Sequence, residues 1–200
     1  MSALGLAHPP LHQVRAIIGR ALDEDIGGGD VTTDHSVPTD QRSPAILLAK
    51  QDGVLCGVHV FSETLAMVDR GVTVTVERPD GAEVGKGDVV ARIEGPTRAL
   101  LTGERTALNF VQRLSGIATL TAAFAARLRG LPTRLVDTRK TTPGLRLLEK
   151  YAVRVGAGTI IASTWPTRYC SRTTTWPPCA AEASTSPTPS GPSRSGCLTR

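Results

Sequence analysis

The chain has 200 residues, enough for one or two domain cores. Its 23 basic and 18 acidic side chains give a net charge of +5, but residues 159–200 hold four arginines against one glutamate, so residues 1–158 carry only +2. Such a balance does not indicate a nucleic-acid surface. No stretch approaches the roughly 18 apolar residues of a membrane helix. Cys56 is the one cysteine before residue 159, which fits a reducing compartment, so we expect a cytoplasmic protein that binds neither nucleic acid nor membrane.

The first half of the chain predicts one helix followed by short strands. Apolar residues at helical spacing predict a helix over residues 11–22. The loop after it, residues 23–34, combines carboxylates with glycines. Either Asp30 or Thr32 caps a turn there, or the loop contacts an anionic ligand or a metal. Glycine-containing turns separate the elements that follow. These are strands over residues 44–49, 53–58, 71–76 and 88–93, with a helix over residues 61–68.

The second half predicts helices and one strand-loop-helix unit. Ser115-Gly116 predicts a break between two helices. A later strand ends on a polar loop that leads through Pro143-Gly144 into a helix, and the Gly-Ala-Gly turn at residues 156–158 is a weak sign of phosphate contact. Strand, loop and helix form the unit of α/β sheets and barrels, whose chemistry collects at the carboxyl ends of the strands. The predicted elements are helices over residues 98–114 and 117–128, a strand over residues 133–137 and a helix over residues 145–155.

Two sets of charged residues are candidates for ligand binding. Arg139 and Lys140 stand at the carboxyl end of the predicted strand, next to Thr138. Arginine binds carboxylates with two parallel hydrogen bonds and lysine gives phosphate a compact charge, so this loop suits a ligand rich in oxyanions. The alternative is an ordinary solvated loop. Arg105 lies on a mainly apolar helix, where it pairs either with a neighbour such as Glu104 or with a partner subunit.

Four segments together resemble the nicotinate-nucleotide pyrophosphorylase (carboxylating) family, also called quinolinate phosphoribosyltransferase. The resemblance extends over residues 10–158 in the same order and spacing. The segments are EDIGGGDVTT (residues 24–33), ERTALNFVQRLSGIAT (104–119), DTRKTTPGLR (137–146) and EKYAVR (149–154).

The resemblance implies a reaction and a fold. Quinolinate and phosphoribosyl pyrophosphate, with Mg²⁺ on the pyrophosphate, give nicotinate mononucleotide, pyrophosphate and carbon dioxide in NAD biosynthesis. The enzyme is expected to be a homodimer with shared active sites. The expected fold is α/β, with an N-terminal α/β sandwich over residues 1–112 and the start of an incomplete α/β barrel over residues 113–158.

The resemblance also implies roles for residues of the candidate site. Arg139 would hold a quinolinate carboxylate, and Thr138 lies in the same loop. Lys140 would contact quinolinate or the phosphoribosyl donor and is the catalytic candidate. Arg105 would reach into the partner's site. A dianionic pyridine and a polyphosphate need a site crowded with cations.

Residues 159–200 depart from the family pattern. After residues 149–154 the family has a glycine turn and Asn-His-Arg, then a strand that ends in Lys-Asp-Asn-His, whereas this chain has Ile160-Ile161-Ala162. When residues 160–179 are written as GC-leaning codons and read from one base earlier, the frame gives HHRLDLADAVLLKDNHVAAV, which resembles the missing segment. We infer a frameshift near residues 156–159. The Ser-, Thr- and Pro-rich residues 159–200 are then expected to be disordered and this chain inactive.

Two alternatives stay open. One is a related phosphoribosyltransferase of the same family, either a nicotinate-using enzyme or the molybdenum-locus homologue. The other is a non-enzymatic β-rich binding module. In its carrier form Lys86 would be modified, although Val-Gly-Lys-Gly-Asp does not match the biotinyl or lipoyl motifs.

Overall fold

The computed structural model describes residues 7–29 and 31–159. These residues form both helices and strands, so the predicted α/β class is confirmed. No described helix is long and apolar enough to cross a membrane. The elements are α1 (Leu11–Ile26), α2 (Val31–Ser36), β1 (Arg42–Leu48), β2 (Gly53–Val54), α3 (Val58–Val68), β3 (Thr73–Val76), β4 (Glu83–Val84), β5 (Val89–Pro96), α4 (Thr97–Arg127) and α5 (Arg146–Val155).

The main sheet has three antiparallel strands in the order β1-β5-β3. Its register pairs Ile46 with Arg92 on one side of β5 and Val74 with Ile93 on the other. Along β5, Ala91 and Ile93 are buried whereas Arg92 is exposed. This alternation buries one face of the sheet, which packs on α3 and α4. A separate two-stranded ladder joins β2 to β4.

The prediction of a second strand over residues 53–58 is wrong beyond its first two residues, because α3 already begins at Val58. The amide of Val58 donates to Asp80 Oδ1 at 2.9 Å, which satisfies a free N–H of the first helical turn. Gly57 precedes the helix with a φ of +94°, in the left-handed region that favours glycine. Both features turn the chain from strand into helix.

The predicted break at Ser115-Gly116 is also wrong, since α4 runs unbroken for 31 residues. Ser115 Oγ accepts from the amide of Cys56 at 2.9 Å and donates to its carbonyl at 3.1 Å, so the serine joins two elements. Glycine inside a helix costs only about 1 kcal/mol relative to alanine. Packing along α4 outweighs that cost. The predicted domain boundary after residue 112 falls inside this helix.

The first helix is longer than predicted and takes up the start of the predicted loop over residues 23–34. Thr106 of α4 donates to Asp25 Oδ2 at 3.0 Å and holds the last turn of α1 against α4. Gly27, with a φ of +49°, ends the helix. The alternative of a turn capped by Asp30 or Thr32 falls outside the side chains that the structure describes.

The predicted strand over residues 133–137 is reduced to one isolated parallel bridge, between Val136 and Thr159. The amide of Asp137 donates to Thr159 at 3.0 Å, and the amide of Thr159 donates to Leu135 at 2.8 Å. Thr159 is therefore a structural partner of Val136, which corrects the predicted disorder at that residue. The rest of that prediction concerns residues 160–200, outside the described residues.

Two apolar clusters share α4. One joins α4 through Phe110 and Leu114 to α1 and α5, and the other joins it through Val111 to α3 and the sheet. Helix α5 reaches the first cluster with Leu148 and Tyr151, both essentially inaccessible to solvent. The predicted helix over residues 145–155 is confirmed as α5. This packing fixes the position of the polar loop that precedes α5.

Candidate active site

The polar loop over residues 137–144 begins at the bridge and is anchored there by a buried ion pair. Lys150 of α5 lies 2.5 Å from Asp137 Oδ2, measured from Nζ, and the two side chains are 7% and 3% exposed. A buried charge is tolerated when an opposite charge and hydrogen bonds surround it. The pair fixes the residue that directly precedes Thr138.

A second charged group anchors the far end of the loop. Glu149 Oε1 accepts from Arg113 Nε at 2.9 Å, and its Oε2 accepts from the amide of Thr142 at 3.2 Å. Arg113 also donates to the Thr142 hydroxyl. Burial alone would raise the pKa of Glu149, but the hydrogen bonds from Arg113 and Thr142 hold that pKa below its usual value. Glu149 therefore acts as a carboxylate that joins α4, the loop and α5.

Between the two anchors, Thr138, Arg139 and Lys140 are exposed. The Thr138 hydroxyl accepts from the amide of Lys140 at 3.1 Å, which forms a tight local turn. Arg146 donates to the Thr141 hydroxyl at 3.1 Å and to the carbonyl of Arg139 at 3.4 Å. The loop backbone is thus held from both sides, and the two cationic residues on it, Arg139 and Lys140, are exposed.

Arg105 lies on α4, away from the contacts of this loop. Its Nη1 is 3.1 Å from Asp25 Oδ1, and its side chain is 76% exposed. The predicted intrachain partner Glu104 is therefore replaced by Asp25. Arg105 pairs with Asp25 because the extra turn of α1 brings Asp25 next to α4. A largely exposed ion pair of this kind contributes little to stability, so the guanidinium remains accessible to a ligand or a partner.

A cavity of about 580 Å³ lies between α1, α4 and the end of the loop. Asp25, the partner of Arg105, lines one part of it, and Thr142 lines another. Arg20, Asn109 and Arg113 add polar groups to its wall. The structure thus brings the surroundings of Arg105 and the anchored end of the loop to one cavity, whereas Arg139 and Lys140 are not among the residues that line it.

The Gly-Ala-Gly turn at residues 156–158 has a packing role in the structure. A Cβ atom on Gly156 would lie 2.4 Å from the carbonyl oxygen of Ala118, and one on Gly158 would lie 2.5 Å from Val153 Cγ1. Glycine lets the chain after α5 pass close to α4. Close approach explains these two glycines without a phosphate.

Sequence reasoning did not single out Arg113, Glu149 or Lys150. The signal was present in α5: Glu149 and Lys150 stand next to each other between Leu148 and Tyr151, and all four are buried. Adjacent charges on a helix whose apolar residues are buried require partners on neighbouring elements. A prediction that treats α5 only as an amphipathic helix does not reveal that its charged residues need such partners.

Two family models match the chain in succession. One is described as the quinolinate phosphoribosyl transferase N-terminal domain and matches residues 30–115; the other is the C-terminal domain of that family and matches residues 117–163.

Relatives with established names match the same part of the chain. It is 43% identical over 146 residues to a probable nicotinate-nucleotide pyrophosphorylase (carboxylating) of Bacillus subtilis, covering 73% of this chain and 50% of that protein. It is 41% identical over 153 residues to a quinolinate phosphoribosyltransferase (decarboxylating) of Nicotiana tabacum, covering 76% of this chain and 43% of that protein. The chain therefore spans about half the length of the curated relatives it matches.

Solved structures show the same fold. The crystal structure of NadC from Streptococcus pyogenes matches with a TM-score of 0.76 and 41% identity, covering 78% of this chain and 55% of that one. The nicotinate-nucleotide pyrophosphorylase of Francisella tularensis matches with a TM-score of 0.73 and 35% identity, with the same coverage of both chains.

Proposed function

The chain belongs to the quinolinate phosphoribosyl transferase family, and we propose from this that its gene encodes a phosphoribosyltransferase of NAD biosynthesis that acts on quinolinate. In the reaction the pyridine nitrogen of quinolinate forms a bond with C1 of the phosphoribosyl group as pyrophosphate leaves. The 2-carboxylate is then lost as carbon dioxide and a proton takes its place. Both substrates are polyanions, so the protein's main task is to bring together groups that repel each other.

The observation that supports this proposal is that the polar loop over residues 137–144, which carries two cations, is held between two charged anchors. Arg139 and Lys140 project from a backbone that the Lys150–Asp137 pair fixes at one end and Glu149 fixes at the other. Cations carried on a backbone that is fixed before the substrate arrives need less reorganisation when negative charge gathers on the leaving pyrophosphate. A flexible solvated loop, the alternative from sequence, would not need two anchors of this kind.

Each loop residue has a task that suits its chemistry. Arg139 binds a quinolinate carboxylate with its planar guanidinium, and Lys140 neutralises charge on quinolinate or on the phosphoribosyl donor as the bond to pyrophosphate breaks. Thr138 shapes the turn through its hydrogen bond with the Lys140 amide. Arg105, exposed on α4, reaches the site of a partner subunit in a homodimer.

Mg²⁺, which the family reaction implies, prefers oxygen ligands such as carboxylates and water. Beside the loop and the cavity, Asp137, Glu149 and Asp25 are held by Lys150, Arg113 and Arg105 respectively. These three carboxylates are therefore already paired with cations and do not form a protein-held Mg²⁺ site. The ion would come bound to the pyrophosphate, and what the loop over residues 137–144 supplies is positive charge.

We further propose that this 200-residue chain does not complete the reaction. By the shifted reading, the His-Arg pair of the family falls at Ile161 and Ala162, and a later lysine falls at Arg172. A site without those cations binds the two polyanions poorly. Resequencing the gene around the codons for residues 156–159 tests the frameshift. An uninterrupted frame that encodes Ile160-Ile161-Ala162 in the expressed protein would remove it.

The proposal that Arg105 acts in the partner's active site is tested on the frame-repaired protein, which is the product of the gene after its reading frame is restored near residues 156–159. Two inactive variants of that protein are mixed. Arg105→Ala leaves Arg139 intact, and Arg139→Ala leaves Arg105 intact. If Arg105 acts in the partner's site, a heterodimer regains one of its two sites, so random mixing restores about one quarter of the unmodified activity. Activity that stays at the level of the separate variants after subunit exchange would mean that both arginines serve the same subunit's site.

The location of the protein and the carrier alternative also remain predictions. A cytoplasmic enzyme is the proposal, although a rice relative is named as chloroplastic. Lys86 is exposed at the turn between β4 and β5, within the residues that match the family's N-terminal domain. Mass spectrometry that finds Lys86 unmodified would remove the carrier alternative.

A further inference from the structure

A cluster of two histidines, one aspartate and one tyrosine lies where four segments of the chain meet, apart from the loop over residues 137–144. His8 comes from the segment before α1, His59 from the first turn of α3, Asp80 from the turn between β3 and β4, and Tyr151 from α5. The rings of His8 and His59 are tilted toward each other with centroids 4.4 Å apart, and the ring of Tyr151 meets that of His59 edge-on at 5.2 Å. The proposed reaction assigns no role to this cluster.

Asp80 organises the cluster as a buried carboxylate. Its side chain is 4% exposed. Its Oδ1 accepts from the amide of Val58 at 2.9 Å, and its Oδ2 accepts from Tyr151 at 2.7 Å and from His59 Nδ1 at 3.0 Å. The Val58 amide, the Tyr151 hydroxyl and His59 Nδ1 all converge on the two carboxylate oxygens, which accept hydrogen bonds, so this geometry places the donated proton of His59 on Nδ1.

In the neutral imidazole the other ring nitrogen of His59, Nε2, then carries a lone pair. Nε2 is buried, and within residues 7–29 and 31–159 it has no hydrogen-bond partner. A buried acceptor without a partner is unfavourable, and in a native protein it calls for an ordered water or an ion. Since a lone pair cannot donate to an anion and Asp80 repels one, the ligand that fits is a cation or a water molecule.

A histidine that donates one ring N–H to a carboxylate while its other nitrogen keeps a free lone pair is the usual arrangement of a metal ligand. His8, His59 and Asp80 each offer a ligand atom, and these atoms all lie within 4.8 Å of one another. His8 is exposed, and its Nδ1 lies 3.1 Å from the Tyr151 hydroxyl. Imidazole nitrogens prefer Zn²⁺, Ni²⁺, Co²⁺ and Cu²⁺ to Mg²⁺ or Ca²⁺.

We propose that His59 Nε2 and a ring nitrogen of His8 bind a divalent transition-metal ion, with Asp80 as the carboxylate that orients His59. Water completes the coordination on the exposed side. A cation, Arg154, lies close to the cluster: its guanidinium is 5.7 Å from the ring centre of Tyr151 and donates to the carbonyl of Ala7 at 3.2 Å. The charge of Asp80 offsets it. A bound ion joins the segment before α1 to α3, and through Asp80 and Tyr151 it supports the position of α5.

The test measures metal binding and melting of the full 200-residue chain after treatment with a chelator. We expect one equivalent of Zn²⁺ or Co²⁺ to bind and to raise the melting temperature, and Mg²⁺ to leave it unchanged. His59→Asn keeps an amide donor for Asp80 but removes the Nε2 ligand, so the affinity for Co²⁺ should fall at least tenfold. His8→Ala should have the same effect. His12→Gln is the matched control, since this exposed imidazole of α1 is four residues from His8, and it should bind as the unmodified chain does.

Three results would overturn the proposal. The first is no saturable binding, which would leave a water molecule as the partner of Nε2. The second is binding that is lost in His12→Gln and kept in His59→Asn, which would indicate surface chelation. The third is binding that survives His59→Asn and shows thiolate-to-cobalt charge transfer, which would assign the metal to the cysteines of residues 160–200.

Discussion

The two parts of the molecule that α4 joins are stabilised by different interactions. The antiparallel sheet β1-β5-β3 buries an apolar face against α3 and α4. The segment over residues 133–159 has one backbone bridge, and its loop is fixed by the Lys150–Asp137 pair and by Glu149. Apolar burial tolerates small changes in geometry, whereas a buried charge depends on one specific partner. The segment that carries the proposed site should therefore be the more sensitive to single substitutions.

The largest effect is expected when one member of the buried ion pair is removed. Lys150→Met leaves the Asp137 carboxylate buried without its cation, which should lower the free energy of unfolding by about 3–5 kcal/mol. Denaturant titration of the full chain measures the loss. The double variant Asp137→Leu, Lys150→Met should recover most of it, because two apolar side chains replace the pair. Equal losses in the single and double variants would show that the pair is not the source of the stability.

Packing of the turn after α5 gives the next largest effect. The Cβ atom of Gly156→Ala would approach the Ala118 carbonyl oxygen, a backbone atom that cannot rotate away, so we expect a loss of about 1–3 kcal/mol. Gly116→Ala is the matched control. No atom lies within 4 Å of its added Cβ, and an alanine inside α4 should stabilise the chain by up to about 1 kcal/mol. If packing is the cause, the free energy of unfolding should fall in Gly156→Ala and rise in Gly116→Ala. A change of the same sign in both variants would contradict this explanation.

The pH dependence should separate the two parts of the molecule. The folded pKa of Glu149 is lowered, so its stabilisation is present above the unfolded value near 4.3 and is lost as the pH falls through the folded pKa. Below about pH 4, backbone amides of residues 142–155 should exchange with solvent sooner than those of β5. Glu149→Gln should remove most of that acid dependence. If β5 and α5 lose protection together at every pH, the two parts unfold as one unit and the contrast fails.

The smallest effect on stability is expected in the loop itself. Arg139→Ala and Lys140→Ala change exposed side chains, so the free energy of unfolding should stay within about 0.5 kcal/mol of the unmodified chain. In the frame-repaired protein the same variants should lose most quinolinate turnover. A large loss of stability in either variant would assign these cations to the fold instead of the ligand.

The contrast also explains which features could be predicted from the sequence. The helix α5 and the strand β5 follow from the periodicity of their own residues, and the loop over residues 137–144 from its run of charged and hydroxyl residues before that helix. The continuity of α4 could not be predicted, because Ser115 is held in the helix by Cys56, 59 residues away in sequence. The pairing of Arg105 with Asp25 depends on an extra turn of α1, and that turn is held by Thr106. Local patterns indicate elements; the partners of charged and small polar residues come from distant parts of the chain.

The most direct test of the proposed function is release of carbon dioxide from carboxyl-labelled quinolinate in the presence of phosphoribosyl pyrophosphate and Mg²⁺. Three proteins are compared: the 200-residue chain, the frame-repaired protein and its Arg139→Ala variant. The account predicts no release above background from the 200-residue chain, release from the repaired protein, and loss of most of that activity in the variant. Turnover by the 200-residue chain, or none by a folded repaired protein, would contradict it.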